Sequence, residues 1–175
     1  MKRESFTLIE LLVVIVIIGI LMGFLLPVLI QAKNRAKVAK AKDSVSQLTA
    51  AWQSYLAEYR MFPSDNDDPA QPVDIREITP AAIKILMGQT YASLGGHVFM
   101  EFTTNEVKWG FSDPWGTVYQ VALDNGCNDT KKYDGKVSVP HQSVELDQSV
   151  GAWSKGADKK DSSDTFRLDD VKSWK

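Results

Sequence analysis

The 175-residue sequence predicts an α+β fold, in which a long N-terminal helix packs on a small antiparallel β-sheet head. Three observations predict it. An uncharged apolar run fills residues 11–30, apolar residues then recur at helical spacing up to residue 59, and residues 117–123 alternate as a strand does. The helix is therefore expected to have a membrane half and an amphipathic half, followed by one head of ordinary domain size.

The apolar run reads LLVVIVIIGILMGFLLPVLI and contains no charged or strongly polar side chain. A helix of about 20 such residues spans a hydrocarbon core of about 30 Å, and a soluble helix of this length would show a polar face. A removed signal peptide is the alternative interpretation. The run exceeds the roughly 7 to 15 apolar residues of a signal peptide, and no A-x-A-like site follows it. The sequence thus favours a retained transmembrane helix.

Glu10 is an acidic residue at the start of this apolar segment, where an unpaired carboxylate is costly. No other charged residue lies in the span. One interpretation leaves Glu10 at the headgroup boundary without a role. The other gives it a cationic partner, because a cut before Phe6 would create an α-amine, whose ordinary pKa is about 8. The amine of a neighbouring subunit could pair with Glu10 directly.

Residues 2–12, KRES followed by FTLIELL, resemble the cleavage and methylation motif shared by type IV pilins and type II secretion pseudopilins. The resemblance implies a pilin-like fold and a cut between Ser5 and Phe6. It further implies N-methylation of Phe6, subunit assembly through Glu10 and Phe6, and a distortion of the helix near Pro27 in the filament. Ser5 stands where the family normally has glycine, and because serine is also small we expect the cut to occur.

The sequence then divides into four parts: a prepilin leader at 1–5, a transmembrane helix and filament core at 6–30, an amphipathic stalk helix at 31–60, and a globular head at 61–175. The head should hold a short helix, a small antiparallel sheet and an Asp-rich C-terminal loop. Apolar residues spaced three and four apart in the stalk predict simple core packing. They are Val45, Leu48, Trp52, Tyr55, Leu56 and Tyr59.

Basic residues flank both ends of the apolar run, and those beyond it are Lys33, Arg35, Lys37, Lys40 and Lys42. A positive-inside count would place this far flank in the cytoplasm. The resemblance implies the opposite orientation in the inner membrane, with the N-terminus cytoplasmic and the head periplasmic. We adopt the latter because the head has the composition of a folded exported domain. The flank either contacts lipid headgroups, at about 1 kcal/mol per charge near an anionic surface, or is a solvated face.

Local signals place the elements of the head. Thr79-Pro80 predicts a short helix through Met87, with Thr79 as N-cap, Pro80 in its first turn and Gly88 at its end. Residues 97–102 and 117–123 are predicted strands, and Asp124-Asn125-Gly126 predicts a hairpin turn.

Two further motifs indicate which subfamily the sequence resembles. Residues 113–116, Asp-Pro-Trp-Gly, suit a type I turn and are similar to the motif before the sheet of the major (G-type) pseudopilin. Residues 153–158 and 169–174 are similar to the C-terminal loop of that subfamily, which often binds calcium. Calcium takes six to eight oxygen ligands, although the spacing here is not that of an EF-hand, and a solvated polar tail is the alternative. The candidate ligands are Asp158, Asp161, Asp164, Asp169 and Asp170.

Catalysis and nucleic-acid binding are not expected. The sequence lacks G-x-S-x-G, P-loop, H-E-x-x-H and C-x-x-C motifs, and its net charge of -2 provides no basic footprint. Cys127 could form a nucleophile pair with His97 or His141, but no third residue can be identified that would orient such a pair. We interpret Cys127 as a turn residue and predict that the protein is not an enzyme and requires no cofactor, with calcium as the one candidate ion.

The resemblance predicts a structural subunit of a type II secretion pseudopilus that supports protein export. Its implied partners are other copies of itself, minor pseudopilins, prepilin peptidase, the inner-membrane assembly platform and membrane lipid, with the filament in the periplasm. The first alternative is a type IV pilus pilin for adhesion, motility or DNA uptake, although one cysteine excludes the intrachain disulfide loop that pilins often carry. The second alternative is a membrane-anchored binding domain that never polymerises and needs neither Glu10 nor a cut.

Overall fold

The computed structural model describes residues 7–63, 77–89, 96–124, 137–139, 145–160 and 170–174. Within these ranges the helices are α1 (Leu8–Tyr59), α2 (Pro80–Leu86) and α3 (Thr104–Trp109). The strands are β1 (Gln120–Leu123), β2 (Val137–Ser138), β3 (Glu145–Leu146), β4 (Val150–Ser154) and β5 (Val171–Lys172). An antiparallel sheet has the order β1-β4-β5, and β2 pairs antiparallel with β3. This long helix with a small antiparallel sheet confirms the predicted fold class.

The chain separates into two compact units, Met1–Lys37 and Val38–Lys175. The first unit holds the apolar part of α1, which stays helical through Pro27. Its large hydrophobic side chains are exposed, from 44% for Val14 to 82% for Leu8. Among the described residues, α1 is the helix with the length and composition to cross a membrane. An apolar surface of this extent requires a bilayer or other apolar helices around it.

The core of the second unit forms along one stripe of α1. Ala41, Val45, Leu48, Trp52 and Tyr55 are buried at helical spacing, while Leu56 and Tyr59 pack half-buried beside them. The stripe carries the ring contacts of the core, including those of Trp52 with Tyr55 and of Tyr55 with Tyr59. The prediction that this aromatic stripe is core packing is confirmed.

Strand β1 lies in the second half of the segment where alternation predicts a strand. Its four residues are all buried, because each face of the strand packs against a different hydrophobic cluster. Val121 and Leu123 belong to the main core, whereas Ala122 joins a smaller cluster with Val137 and Trp153. The preceding residues 117–119 are not part of this strand. Val118 instead forms an isolated antiparallel bridge with Ser112.

The predicted strand at 97–102 is wrong. The backbone N–H groups of Phe99 and Met100 both donate to the Leu86 carbonyl, at 2.8 and 3.3 Å, so this segment closes the end of α2 and joins no sheet among the described residues. The Phe99 ring anchors it against Tyr55, with ring centroids 5.2 Å apart. Gly88 allows the close approach, since a Cβ there would lie 2.6 Å from the His97 carbonyl oxygen.

Helix α3 follows this segment and was not predicted. It begins with a capping box, in which the Glu106 carboxylate accepts the Thr103 N–H at 2.7 Å and the Thr103 hydroxyl accepts the Glu106 N–H. The Thr-x-x-Glu pattern is a known helix-start signal, so the sequence did contain the information.

The predicted helix at 79–87 is confirmed as α2. Thr79 is its N-cap residue in an extended conformation, but the Thr79 side chain makes no capping hydrogen bond. The fixed φ of Pro80 therefore favours the start of the helix more than the Thr79 side chain does. Of the predicted hairpin turn, Asn125 and Gly126 lie outside the described residues, and the Asp124 N–H donates to the Ser149 carbonyl at 2.9 Å.

Candidate functional site

The start of α1 places Glu10 in contact with Thr7. The Glu10 carboxylate oxygen Oε2 accepts the Thr7 backbone N–H at 2.8 Å and the Thr7 hydroxyl at 2.7 Å. The Glu10 N–H in turn lies 3.4 Å from the Thr7 hydroxyl oxygen. These reciprocal bonds form a capping box, which satisfies amide groups that a helix start otherwise leaves unbonded. Glu10 therefore has a hydrogen-bond partner within its own chain, and this role of Thr7 was not predicted from the sequence.

The predicted cut and modification site lies next to this cap. Ser5 and Phe6 fall outside the described residues, and Thr7 is the first residue described. A cut before Phe6 would leave Thr7 as the second residue, so both partners of the capping box would remain in the shortened chain. The cap and the new α-amine would then be separated by one residue.

The Asp-Pro-Trp-Gly motif forms the turn that the sequence predicts. The Gly116 N–H donates to the Asp113 carbonyl at 3.0 Å, and Gly116 has a φ of 85°. The Asp113 side-chain oxygen Oδ1 accepts the N–H groups of Trp115 and Thr117, at 2.9 and 2.8 Å. An Asp side chain that bonds the following backbone amides in this way favours turns.

The same Asp113 carboxylate joins the turn to the start of the C-terminal loop. Its second oxygen, Oδ2, accepts the Ser154 hydroxyl at 2.6 Å, and the Ser154 oxygen accepts the Gly156 N–H at 3.1 Å. Both side chains are buried, Ser154 completely. Three hydrogen bonds to one carboxylate offset part of the cost of removing it from water. The two motifs that narrow the resemblance are thus one connected structure.

Buried Tyr119 lies in the second unit between this turn and α1. Burial raises the pKa of the Tyr119 hydroxyl to about 12, and the nearby carboxylates of Asp113 and Asp43 add to the rise. The phenol is therefore held in its neutral form, which is the form that a buried site tolerates.

The predicted calcium ligands are only partly described. Asp158 and Asp170 stand on either side of residues 161–169, and Asp161, Asp164 and Asp169 lie outside the described residues. Asp158 Oδ2 and Asp170 Oδ1 are shielded from solvent, and Asp158 Oδ1 accepts the Lys160 N–H at 2.9 Å. Carboxylate oxygens are suitable ligands for a hard cation. Within the described part of the chain, no three His, Cys, Asp or Glu side chains come together.

Lys159 directly follows Asp158 near the start of the C-terminal loop. It adopts a left-handed conformation with φ of 59°, which disfavours a side chain other than that of glycine or asparagine. Its amino group lies 4.0 Å from the position that a Cβ on Gly116 would occupy. The lysine side chain therefore extends back towards the Asp-Pro-Trp-Gly turn.

The candidate nucleophile pair cannot be assembled from the described residues. Cys127 and His141 lie outside them. His97 is exposed, and its ring is 6.1 Å from that of Phe99. The described geometry adds no support for catalysis by these residues.

Comparison with known proteins gives matches to the N-terminal motif and to most of the chain. Residues 1–26 match the family model described as the prokaryotic N-terminal methylation motif. Over 157 residues the chain is 30% identical to the type II secretion system core protein G of Aeromonas hydrophila, covering 87% of this chain and 94% of that protein. It is 26% identical over 164 residues to the protein of the same name in Escherichia coli K12, covering 91% and 97%. No solved structure matches.

A methylation motif on a long apolar helix, joined to a small antiparallel sheet, defines the class of pilins and pseudopilins. The identity and coverage of the relatives then identify the group: the chain belongs to the type II secretion system core protein G family. The resemblance drawn from the N-terminal motif, the turn and the tail is confirmed.

Proposed function

We propose that this protein is a structural subunit of a type II secretion pseudopilus, cut between Ser5 and Phe6, methylated at Phe6 and polymerised through α1 to support protein export. The observation that carries the proposal is the position of Glu10, an exposed carboxylate at the first turn of a helix whose apolar surface is uncovered. The names of the relatives favour this function over the type IV pilus alternative.

Polymerisation would cover the apolar surface of α1 and would supply Glu10 with a positively charged partner. The exposed apolar side chains of residues 8–30 can be covered by lipid or by the same helix in other copies. In a bundle of such helices, Glu10 would leave water and would need a positive charge as well as its Thr7 cap. The α-amine of Phe6 in a neighbouring subunit provides that charge, which fixes the register between subunits.

The other partners and the location follow from the same proposal. The precursor lies in the inner membrane with its N-terminus cytoplasmic and its head periplasmic, where prepilin peptidase and the assembly platform act on it. Minor pseudopilins and membrane lipid are its further partners, and the assembled filament lies in the periplasm. The protein itself acts structurally and not as an enzyme.

Calcium is proposed as a ligand of the C-terminal loop. Asp158 and Asp170 would hold it from the two ends of the loop, together with Asp161, Asp164 and Asp169. The shielded oxygens of Asp158 and Asp170 support this choice. The ion would crosslink the loop and would take no part in a reaction.

The proposal is tested by purifying the protein from its native membrane and measuring its N-terminal residue and intact mass. We expect a chain that starts at Phe6 and carries one additional methyl group. A Ser5→Gly variant is the matched control, and it should give the same N-terminus because glycine is the residue usual before the cut. A mature pool that still begins at Met1 in the filament fraction would contradict the proposal.

A further inference from the structure

Three basic side chains follow the apolar run within the first unit. Lys33 and Arg35 are exposed and Lys37 is half-buried. No acidic residue occurs between Glu10 and Asp43. Ion pairs along a helix form between residues three or four positions apart, so none of the three has an acidic neighbour on its own helix. Their positive charge is uncompensated along this stretch of α1.

The spacing along the helix places Lys33 at the depth of lipid headgroups, and Arg35 and Lys37 just beyond that layer. At about 1.5 Å per residue, Lys33, Arg35 and Lys37 lie roughly 4.5, 7.5 and 10.5 Å beyond Ile30. A bilayer of about 40–45 Å with a core of about 30 Å leaves a headgroup layer of roughly 5–7 Å on each side. Long basic side chains can also bend along the helix towards that layer. All three can therefore reach lipid phosphates.

The arrangement around the helix is a collar and not a stripe. Lys33 and Lys37 are four residues apart and share one face, whereas Arg35 is two residues from each and points to the other side. A planar layer of headgroups surrounds a membrane helix on all sides, and a collar can contact it on all sides. A single protein partner would contact one face only.

We propose that Lys33, Arg35 and Lys37 form a binding site for anionic phospholipids, in the leaflet at this end of the span. Arg35 can hold a phosphate through two parallel hydrogen bonds, and the two lysines contribute point charges. This site depends on the membrane placement described under Proposed function, but it does not depend on polymerisation.

The site would also set the depth of Glu10. From Lys33 back to Glu10 the helix rises about 35 Å, slightly more than the hydrocarbon core of about 30 Å. Lipid bound at Lys33 thus holds Glu10 at the opposite boundary, where its carboxylate and the Thr7 cap stay next to water until a neighbouring subunit arrives. Anionic lipid would keep the membrane pool of subunits ready for assembly.

The test uses the full-length chain in nanodiscs of equal phosphatidylglycerol and phosphatidylcholine, with native mass spectrometry of the lipids that stay bound on release. We expect the wild type to retain phosphatidylglycerol at least about tenfold over phosphatidylcholine, since each charge near an anionic surface contributes roughly a fivefold preference. The triple variant K33Q/R35Q/K37Q should retain the two lipids about equally. The enrichment should also fall as salt is raised.

The matched control K108Q/K159Q/K160Q removes the same charge from the head and should keep the enrichment. Millimolar inorganic phosphate should not displace the lipid, which separates a headgroup site from a free-phosphate site. Unchanged enrichment in the collar variant, or equal loss in the head control, would overturn the proposal.

If the collar variant kept its lipid but failed to assemble, the collar would instead bind an acidic face of another copy. Glu10→Ala should keep the enrichment even where it abolishes filaments, and a chain that does not enter nanodiscs contradicts the membrane placement itself.

Discussion

The Asp113 carboxylate accepts the Ser154 hydroxyl at 2.6 Å across 41 residues of chain. The same carboxylate bonds the backbone of its own turn at Trp115 and Thr117. One buried side chain therefore holds the turn before β1 and the end of β4 together.

Asp113→Ala should destabilise the head strongly. It leaves the Ser154 hydroxyl and two backbone N–H groups without their acceptor, and an unsatisfied buried partner costs about 1–3 kcal/mol. We expect a loss of about 3 kcal/mol in the free energy of unfolding, measured by urea denaturation with tryptophan fluorescence. Ser154→Ala should lose about 1 kcal/mol. The exposed Glu101→Gln should lose almost nothing, and an equal loss in that control would contradict a specific role for Asp113.

Glu10→Ala and Glu10→Gln separate capping from charge. Glutamine can still accept the Thr7 hydrogen bonds as the N3 residue of a capping box, but it carries no negative charge for a neighbouring amine. We expect both variants to lose filament assembly, measured by sedimentation of sheared filaments from cells, with normal amounts of membrane-bound subunit. Normal filaments from Glu10→Gln would show that the cap, and not the charge, is the assembly determinant.

Tyr119 should lower the stability of the head at high pH. Its pKa in the folded state is about 12, above the unfolded value of about 10. The neutral phenol is favoured by folding, so its contribution is fully present below pH 10 and is lost as the pH rises towards 12. The difference in ultraviolet absorbance between the wild type and Tyr119→Phe should show no tyrosinate from this residue until about pH 12. A difference signal that titrates near pH 10 would mean that the hydroxyl is open to solvent.

Gly88→Ala should destabilise the head more than Gly96→Ala. Both glycines have positive φ values, 69° and 63°, so both substitutions meet backbone strain of about 1 kcal/mol. Only at Gly88 would the Cβ lie 2.6 Å from the His97 carbonyl oxygen, against a nearest approach of 3.8 Å at Gly96. We expect the Gly88 variant to lose at least about 2 kcal/mol more in thermal or urea unfolding, consistent with forced overpacking. Equal losses would mean that the backbone here moves aside freely.

Calcium should raise the melting temperature of the protein, and a chelator should lower it again. A ligand that binds only the folded state at a hundred times its Kd adds about 2.7 kcal/mol, which corresponds to several degrees in a head of this size. Asp158→Ala should abolish the effect, and Asp147→Ala, outside the loop, should not. A melting temperature that is the same with calcium and with chelator would contradict the calcium proposal.

The parts of the fold that were predicted correctly are those set by local signals, which are periodicity in α1 and capping or turn residues in α2 and at residues 113–116. The stripe containing Leu48 and Trp52 repeats at helical spacing, and a helix with such a stripe must bury it. The strand predicted at residues 97–102 was wrong because its structure is set by a non-local contact. Their apolar pattern suits a strand, but their backbone groups bond the Leu86 carbonyl, a partner that no local pattern identifies.

The candidate site was also predicted only in part, where a local signal was present. Glu10 was identifiable because a charge in an apolar run is costly, and its Thr7 partner could have been found from the Thr-x-x-Glu pattern. The Asp113–Ser154 contact could not be predicted from the sequence. Each residue has an ordinary local role, in a turn or at a strand end, and only the packed sheet brings them within 2.6 Å.

The sheet order β1-β4-β5 has a consequence for the rate of folding. Each of its pairings joins segments that are distant in sequence, such as Leu123 with Val150 and Trp153 with Lys172. Non-local pairings form slowly, because the entropy of loop closure is lost before contacts compensate for it. The apolar stripe of α1 can form its helix much sooner and must wait, uncovered, for the strands. Newly synthesised heads should therefore pass through a period of vulnerability to proteolysis and aggregation, which faster sheet closure would shorten.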